Sequence, residues 1–344
     1  MYCPYCFSAL KAPVLVCGNA RCSMCEQTMP QKPRKLLSRL PDAWRIRGGV
    51  LFADRETKCD SCGLPCTAVC ETCGSPIPST WLRYPSKSVL FLGVNGVGKS
   101  TLLATAKMKF SQRQDIVMTP LEVERTAERF YEQYASPLLE RNENVPHTLN
   151  EIPQPFLWGV TGRAGKGPAC TMALAAYDVP GEMLSRHAEV KPIETLLTCA
   201  DGVVLVINPA SLPALYDACG KAAGVPLMAN GWEKAERILD EILKYRSIGV
   251  KSSVKVAVVF THLDVWFSAL KDCDSSRALN SVYLKKLAMN WGGGTFLTRL
   301  SEFRDCRLFA AGLYRGREFR PLDGADAPML YLMHRMGMGV KPGA

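Results

Sequence analysis

The sequence predicts an α/β domain with a mostly parallel sheet, one antiparallel edge strand and helices on both faces, preceded by a small cysteine-rich region. Three observations predict it. Ten of the 15 cysteines precede residue 74. Directly after them come an apolar run, a glycine-rich loop and a helix-forming segment, Ser88 to Lys107. Beyond that, buried-strand patterns alternate with amphipathic helical ones. The expected division is a cysteine-rich region at 1–85 and the α/β domain at 86–344, with an inserted helix at about 113–147.

With 344 residues, 47% hydrophobic and 22% charged, the chain has material for a sizeable core and is not of disordered composition. No apolar run approaches the roughly 20 residues that span a bilayer. The opening Met1-Tyr2-Cys3-Pro4-Tyr5-Cys6 lacks the basic-then-apolar build of a secretory signal. The expectation is a cytoplasmic protein without a membrane span.

In a reducing compartment, Cys-x-x-Cys knuckles read as thiolate ligands for zinc, because two thiolates on one tight turn grip a tetrahedral ion. Cys59 and Cys62, followed by Cys70 and Cys73, form the clearest set, with Gly63 and Gly74 completing the knuckle turns. Cys3 and Cys6 start a second set, for which Cys17, Cys22 and Cys25 compete; symmetry alone selects Cys22 and Cys25. Cys66 reads as a spare thiol. Two zinc sites are expected. Each four-thiolate site carries −2, so two would bring the formal +10 down to +6. Lysines and arginines are dispersed apart from Lys32, Arg34, Lys35 and Arg39, so nucleic acid is not the expected partner.

The run Ser88-Val89-Leu90-Phe91-Leu92 is β-like, and Thr101 to Lys107 is helical. Between them lies Gly93-Val94-Asn95-Gly96-Val97-Gly98-Lys99-Ser100, the G-x-x-x-x-G-K-S pattern in strand–loop–helix context. Glycines let backbone amides converge on a phosphate, and the helix N-terminus adds partial positive charge. Lys99 is expected to reach the β- and γ-phosphates, Ser100 to ligate Mg²⁺, and Thr101 to line the site.

Residues 155–161 and 169–177 read as a hairpin joined by a glycine-rich turn, and Val203–Ile207, Val254–Phe260 and Arg307–Ala311 as further buried strands. Glu233–Leu243 and Ala327–His334 read as helices. After the second hairpin strand, Asp178-Val179-Pro180-Gly181 is placed to hold a magnesium shell through Asp178 and to sense a γ-phosphate through the Gly181 amide. Thr261-His262-Leu263-Asp264 follows another strand, and an Asp there can take both N1–H and the exocyclic amine of guanine. The loop Ala310-Ala311-Gly312 after the last strand is expected to supply a backbone N–H to the base oxygen, with Ala311 the residue named for it.

The first switch is expected within 113–150, where 120–134 is helix-like. Thr148 is the candidate hydroxyl for Mg²⁺ and γ-phosphate, with Thr161 a weaker one; Arg141 and Arg163 are candidate arginine fingers, each more simply read as a solvated surface charge. An ATPase of the other P-loop class needs an apolar run ending in two acidic residues, and none follows the loop.

These elements, in order over roughly 88–335, resemble the Ras-like GTPases of the TRAFAC class. His262 stands where that family's base-reading motif has a Lys, and Glu182 where it has a water-orienting Gln. The Cys3–Phe7 knuckle, Val16-Cys17 with Cys22, a second four-cysteine ribbon, Val145-Pro146-His147-Thr148 and the 327–334 helix look like the bacterial double-GTPase proteins. That resemblance implies a first zinc site of Cys3, Cys6, Cys17 and Cys22, with Cys25 spare. It also implies GTP or GDP with Mg²⁺, and protein partners including a companion GTPase in prokaryotic multi-component conflict systems. Two activities follow as expectations: a GTP-hydrolysing switch, whose turnover depends on a partner if Glu182 replaces Gln, or a nucleotide-binding interaction module of weak catalysis with a zinc-ribbon docking arm.

Overall fold

The computed structural model describes residues 1–10, 14–17, 44–47, 50–53, 59, 62–141, 143, 153–163, 168–181, 191–248, 251–270, 277, 280–312, 314–315, 318–319 and 325–339. The expected residues Cys22, Cys25, Thr148 and Glu182 lie outside them.

In chain order the elements are β1 (Val14–Cys17), β2 (Trp44–Arg47), β3 (Val50–Ala53), β4 (Cys66–Val69), α1 (Ser79–Arg83), β5 (Ser86–Leu92), α2 (Lys99–Ser111) and β6 (Ile116–Pro120). Linked helical turns follow over Val123–Glu128, Tyr131–Ala135 and Ser136–Leu139. Then come β7 (Phe156–Arg163), β8 (Ala169–Asp178), α3 (Lys191–Cys199), β9 (Gly202–Ile207), α4 (Gly231–Arg246), β10 (Ser247–Ile248) and β11 (Lys251–Phe260). The chain closes with α5 (Leu263–Ala269), α6 (Ser281–Asn290), α7 (Gly294–Leu300), β12 (Phe303–Ala310), β13 (Tyr314–Arg315), β14 (Glu318–Phe319) and α8 (Ala327–Arg335).

The main sheet is eight-stranded and runs β12-β11-β9-β5-β8-β7-β6, with β10 also paired to β11. Strands β12 through β8 are parallel, whereas β7 on β8 and β6 on β7 are antiparallel. At this end β7 alone runs against the rest; β6, antiparallel to β7, runs with the parallel strands and covers it, so the antiparallel strand is not the outermost one, as expected, but the second. The extra strand, β6, lies inside the stretch read as the start of the switch region. Ile116-Val117-Met118-Thr119 is a short β-branched run whose strand state depends on pairing with Met118↔Val160 and its neighbours.

The central strands are apolar over their buried stretches, Val89–Leu92, Ala173–Tyr177, Val203–Ile207 and Val256–Phe260, as a sheet covered on both sides requires. Leu90, Leu92, Tyr177, Val203, Leu205 and Phe260 join one core with α3, α4 and the cysteine-rich region. Val89, Phe91, Ala176, Val204 and Val206 join a second core with α2, α8 and the inserted helical turns. No helix among the described residues is long and apolar enough to cross a membrane.

Candidate functional site

Register assembles the first constellation. Phe91 is paired with Asp178, Leu92 with Leu205, and Phe260 with both Ile207 and Ala310. The parallel strands thus end level, and the loops at 93–98, 179–181 and 261–264 leave along one edge, the carboxyl edge where open α/β sheets place ligands.

Gly93 has φ 150°, and a Cβ there would stand 2.5 Å from the Val206 carbonyl oxygen, so only glycine lets the loop pass over β9. The buried Lys99 turns its ammonium back into the loop and donates to the carbonyls of Gly93 at 3.0 Å and Val94 at 2.9 Å. Burial lowers its pKa, and the nearby Asp178 opposes that shift. Ser100 Oγ donates to Asp178 Oδ2 at 2.5 Å, and Tyr134 Oη donates to the same oxygen at 2.9 Å. Gly181 rests on the loop itself: a Cβ there would lie 2.6 Å from the Asn95 amide nitrogen.

At the other end of the edge, the fully buried Thr261 directs its hydroxyl to the carbonyls of Val97 at 2.8 Å and Ile207 at 3.2 Å, tying the two loops together. His262 takes a left-handed conformation, φ 55°, and its Nδ1 lies 3.2 Å from Thr261 Oγ1. Burial lowers the imidazole pKa, and the nearby Asp264 opposes that shift. Burial raises the Asp264 carboxyl, against its own amide, His262 and the Val265 amide. Ala311 departs from expectation. Its amide donates to the Phe260 carbonyl at 2.8 Å and its carbonyl accepts from the Leu263 amide, so it closes the β11–β12 junction instead of presenting an N–H to a ligand.

The arginine candidates stand on the surface. Arg141 is 3.6 Å from Glu143, both exposed, and Arg163 ends β7. Thr161 Oγ1 pairs with Thr171 Oγ1 at 2.9 Å across the hairpin. Tyr134 was not among the expected site residues: aromatic spacing in Phe130-Tyr131 to Tyr134 says that one face is buried, but not that one phenol meets Asp178.

The second constellation is the thiol cluster Cys3, Cys6, Cys70 and Cys73, whose sulfurs all lie within 4.8 Å of one another. Four sulfurs at about 2.3 Å from a tetrahedral zinc stand about 3.8 Å apart. Cys3 and Cys73 are 3.8 Å apart, and Cys6 and Cys70 are 3.7 Å. The donor set and spacing fit a metal such as zinc. The Tyr5 and Thr72 amides each point at a cysteine sulfur at 3.4 Å. Burial opposes ionisation of Cys70, but hydrogen bonds from Ser8, the Cys73 and Thr72 amides and Cys6 outweigh it and bring its pKa down to about 6.

This grouping corrects the expected one. The first knuckle joins the last: Cys3 and Cys6 group with Cys70 and Cys73, which therefore do not group with Cys59 and Cys62. The reason is the antiparallel β1–β4 ladder, Val14↔Val69 to Cys17↔Cys66, which brings the chain entering β1 to the chain leaving β4. Cys66 lies opposite Cys17 and packs with Cys59 and Cys62. All three described knuckles share one turn: the amides of Phe7, Gly63 and Gly74 donate to the carbonyls of Cys3, Cys59 and Cys70 at 2.8–2.9 Å. Phe7, at φ 61°, performs the glycine's role with a side chain that packs on Tyr177, ring centroids 5.4 Å apart.

No protein-family model matches this chain, and no curated protein matches it.

Proposed function

We propose that the carboxyl edge of the sheet binds a guanine nucleotide with Mg²⁺ and hydrolyses its terminal phosphoanhydride, the chain acting as a switch of the TRAFAC GTPase type. The observation that carries the reading is the meeting of Ser100 with Asp178 beside a buried Lys99 folded over the carbonyls of a glycine loop. A hydroxyl and a carboxylate are the hard oxygen donors that magnesium takes alongside substrate phosphates. When bound, that ion neutralises phosphate charge. Ser100 and Asp178 would hold it, with Thr148 as the further candidate ligand.

Lys99 would exchange its two carbonyl partners for phosphate oxygens, and the loop amides would take the rest of the phosphate charge. Gly181, packed on Asn95, would register the γ-phosphate through its amide. Asp264 would select the base. The half-buried His262 lies beside it, where the family pattern has a Lys, so base selection rests on Asp264 itself.

The departures His262 and Glu182 from the family pattern favour a second reading, a nucleotide-binding module of negligible turnover. The knuckle at Cys3–Cys6 is packed into the core, so a docking role for the cysteine-rich region falls on its outer surface. Protein partners, a companion GTPase among them, belong to this proposal.

The test is equilibrium binding of GTP, GDP and ATP to the purified chain with Mg²⁺, followed by phosphate release. Guanine-selective binding with turnover supports the switch, and binding without turnover supports the module. A preference for ATP overturns the base assignment.

A further inference from the structure

We propose that Tyr134 is a positioning residue for the Asp178 carboxylate, carried to it by the helical turns of 123–139 and anchored through them to the Cys3–Cys6 knuckle. The inference rests on the nucleotide reading above.

Asp178 Oδ2 receives two hydroxyls, Ser100 from α2 and Tyr134 from the inserted turns. Ser100 belongs to the loop-and-helix unit that every protein with this glycine pattern needs; Tyr134 comes from elsewhere in the chain. The phenol is not a mobile surface group. Tyr134 is 5% exposed, its ring stacks on Phe130 with centroids 5.4 Å apart, and it meets Phe156 edge-on at 5.2 Å. Phe156 begins β7, so the ring is fixed to the sheet as well as to its own helical turn. Burial and then the adjacent carboxylate raise the phenol's pKa, which keeps it a donor.

The other end of the same segment is also held. Tyr5, between Cys3 and Cys6, donates to Glu122, and the Arg125 guanidinium lies 5.6 Å from the Tyr5 ring centroid. The segment therefore spans from the thiol cluster to Asp178 with a hydrogen bond at each end. A carboxylate that holds a metal's water shell must keep one orientation, and outer hydrogen bonds of this kind set it.

The experiment titrates a fluorescent GDP analogue into the full chain, once with Mg²⁺ and once with EDTA, and takes the ratio of the two affinities. Tyr134→Phe keeps the ring and removes the donor. The expected result is a ratio lowered about tenfold, the scale of one hydrogen bond to a charged group, with the EDTA affinity and zinc content unchanged. Tyr131→Phe, whose exposed phenol instead meets Glu140, should retain the wild-type ratio. An unchanged ratio in Tyr134→Phe, or an equal loss with and without Mg²⁺, overturns the inference while leaving nucleotide binding intact. Absence of nucleotide binding by the wild-type chain overturns the functional reading and this inference together.

Discussion

Tyr177 donates its phenolic hydrogen to the Pro4 carbonyl across 2.7 Å, so the residue before Asp178 is bonded to the inside of the first cysteine knuckle. Trp81 Nε1 donates to the Tyr2 carbonyl at 3.1 Å on the same interface, and Cys3 is completely buried there. The thiol cluster is therefore part of the sheet's core, and its metal content and the fold's stability should move together.

Substituting Cys6 and Cys70 together by Ser should remove one equivalent of zinc per chain, measured by elemental analysis of purified protein, and lower the thermal midpoint. Unchanged zinc content would mean that the four sulfurs are a reduced structural cluster.

Tyr177→Phe keeps the ring against Phe7 and leaves the Pro4 carbonyl without its donor. Its cost should be about 1–3 kcal/mol in urea unfolding, the range for a buried hydrogen bond with one partner removed. A cost near zero would show that the knuckle docks through apolar contact alone.

Lys99→Ala should abolish nucleotide binding, because nothing else in the described loop supplies a buried cation to the phosphates. Affinity equal to wild type in a calorimetric titration would remove the glycine loop from the site.

Asp264→Asn should weaken GTP far more than ATP, since only guanine offers the paired N–H donors that the carboxylate accepts. Equal loss for both nucleotides would assign base reading to another loop.

Gly181→Ala should cost about 1–3 kcal/mol of stability by overpacking, because the new methyl group meets the backbone of Asn95 and Val94 as well as the Asn95 side-chain oxygen, and the backbone cannot swing aside. A variant as stable as wild type would show that the 178–181 turn can withdraw from the glycine loop without penalty.

Local chemistry made much of this protein legible from its residues. Strand runs such as Val203–Ile207, the helical period at 233–243 and Cys-x-x-Cys turns such as those at 3, 59 and 70 depend on neighbours a few positions away. They therefore announced an α/β sheet and cysteines able to hold a metal. What the tertiary structure decided is which distant pieces meet: Cys3 and Cys6 with Cys70 and Cys73, β6 on β7, the Ala311 amide on Phe260, and Tyr134 on Asp178. Spacing within a knuckle carries no information about its partner, because the β1–β4 register makes that choice across some fifty residues. Likewise, periodicity can say that Tyr134 is buried, but only the packing of Phe130 and Phe156 around it directs its hydroxyl to a carboxylate 44 positions away.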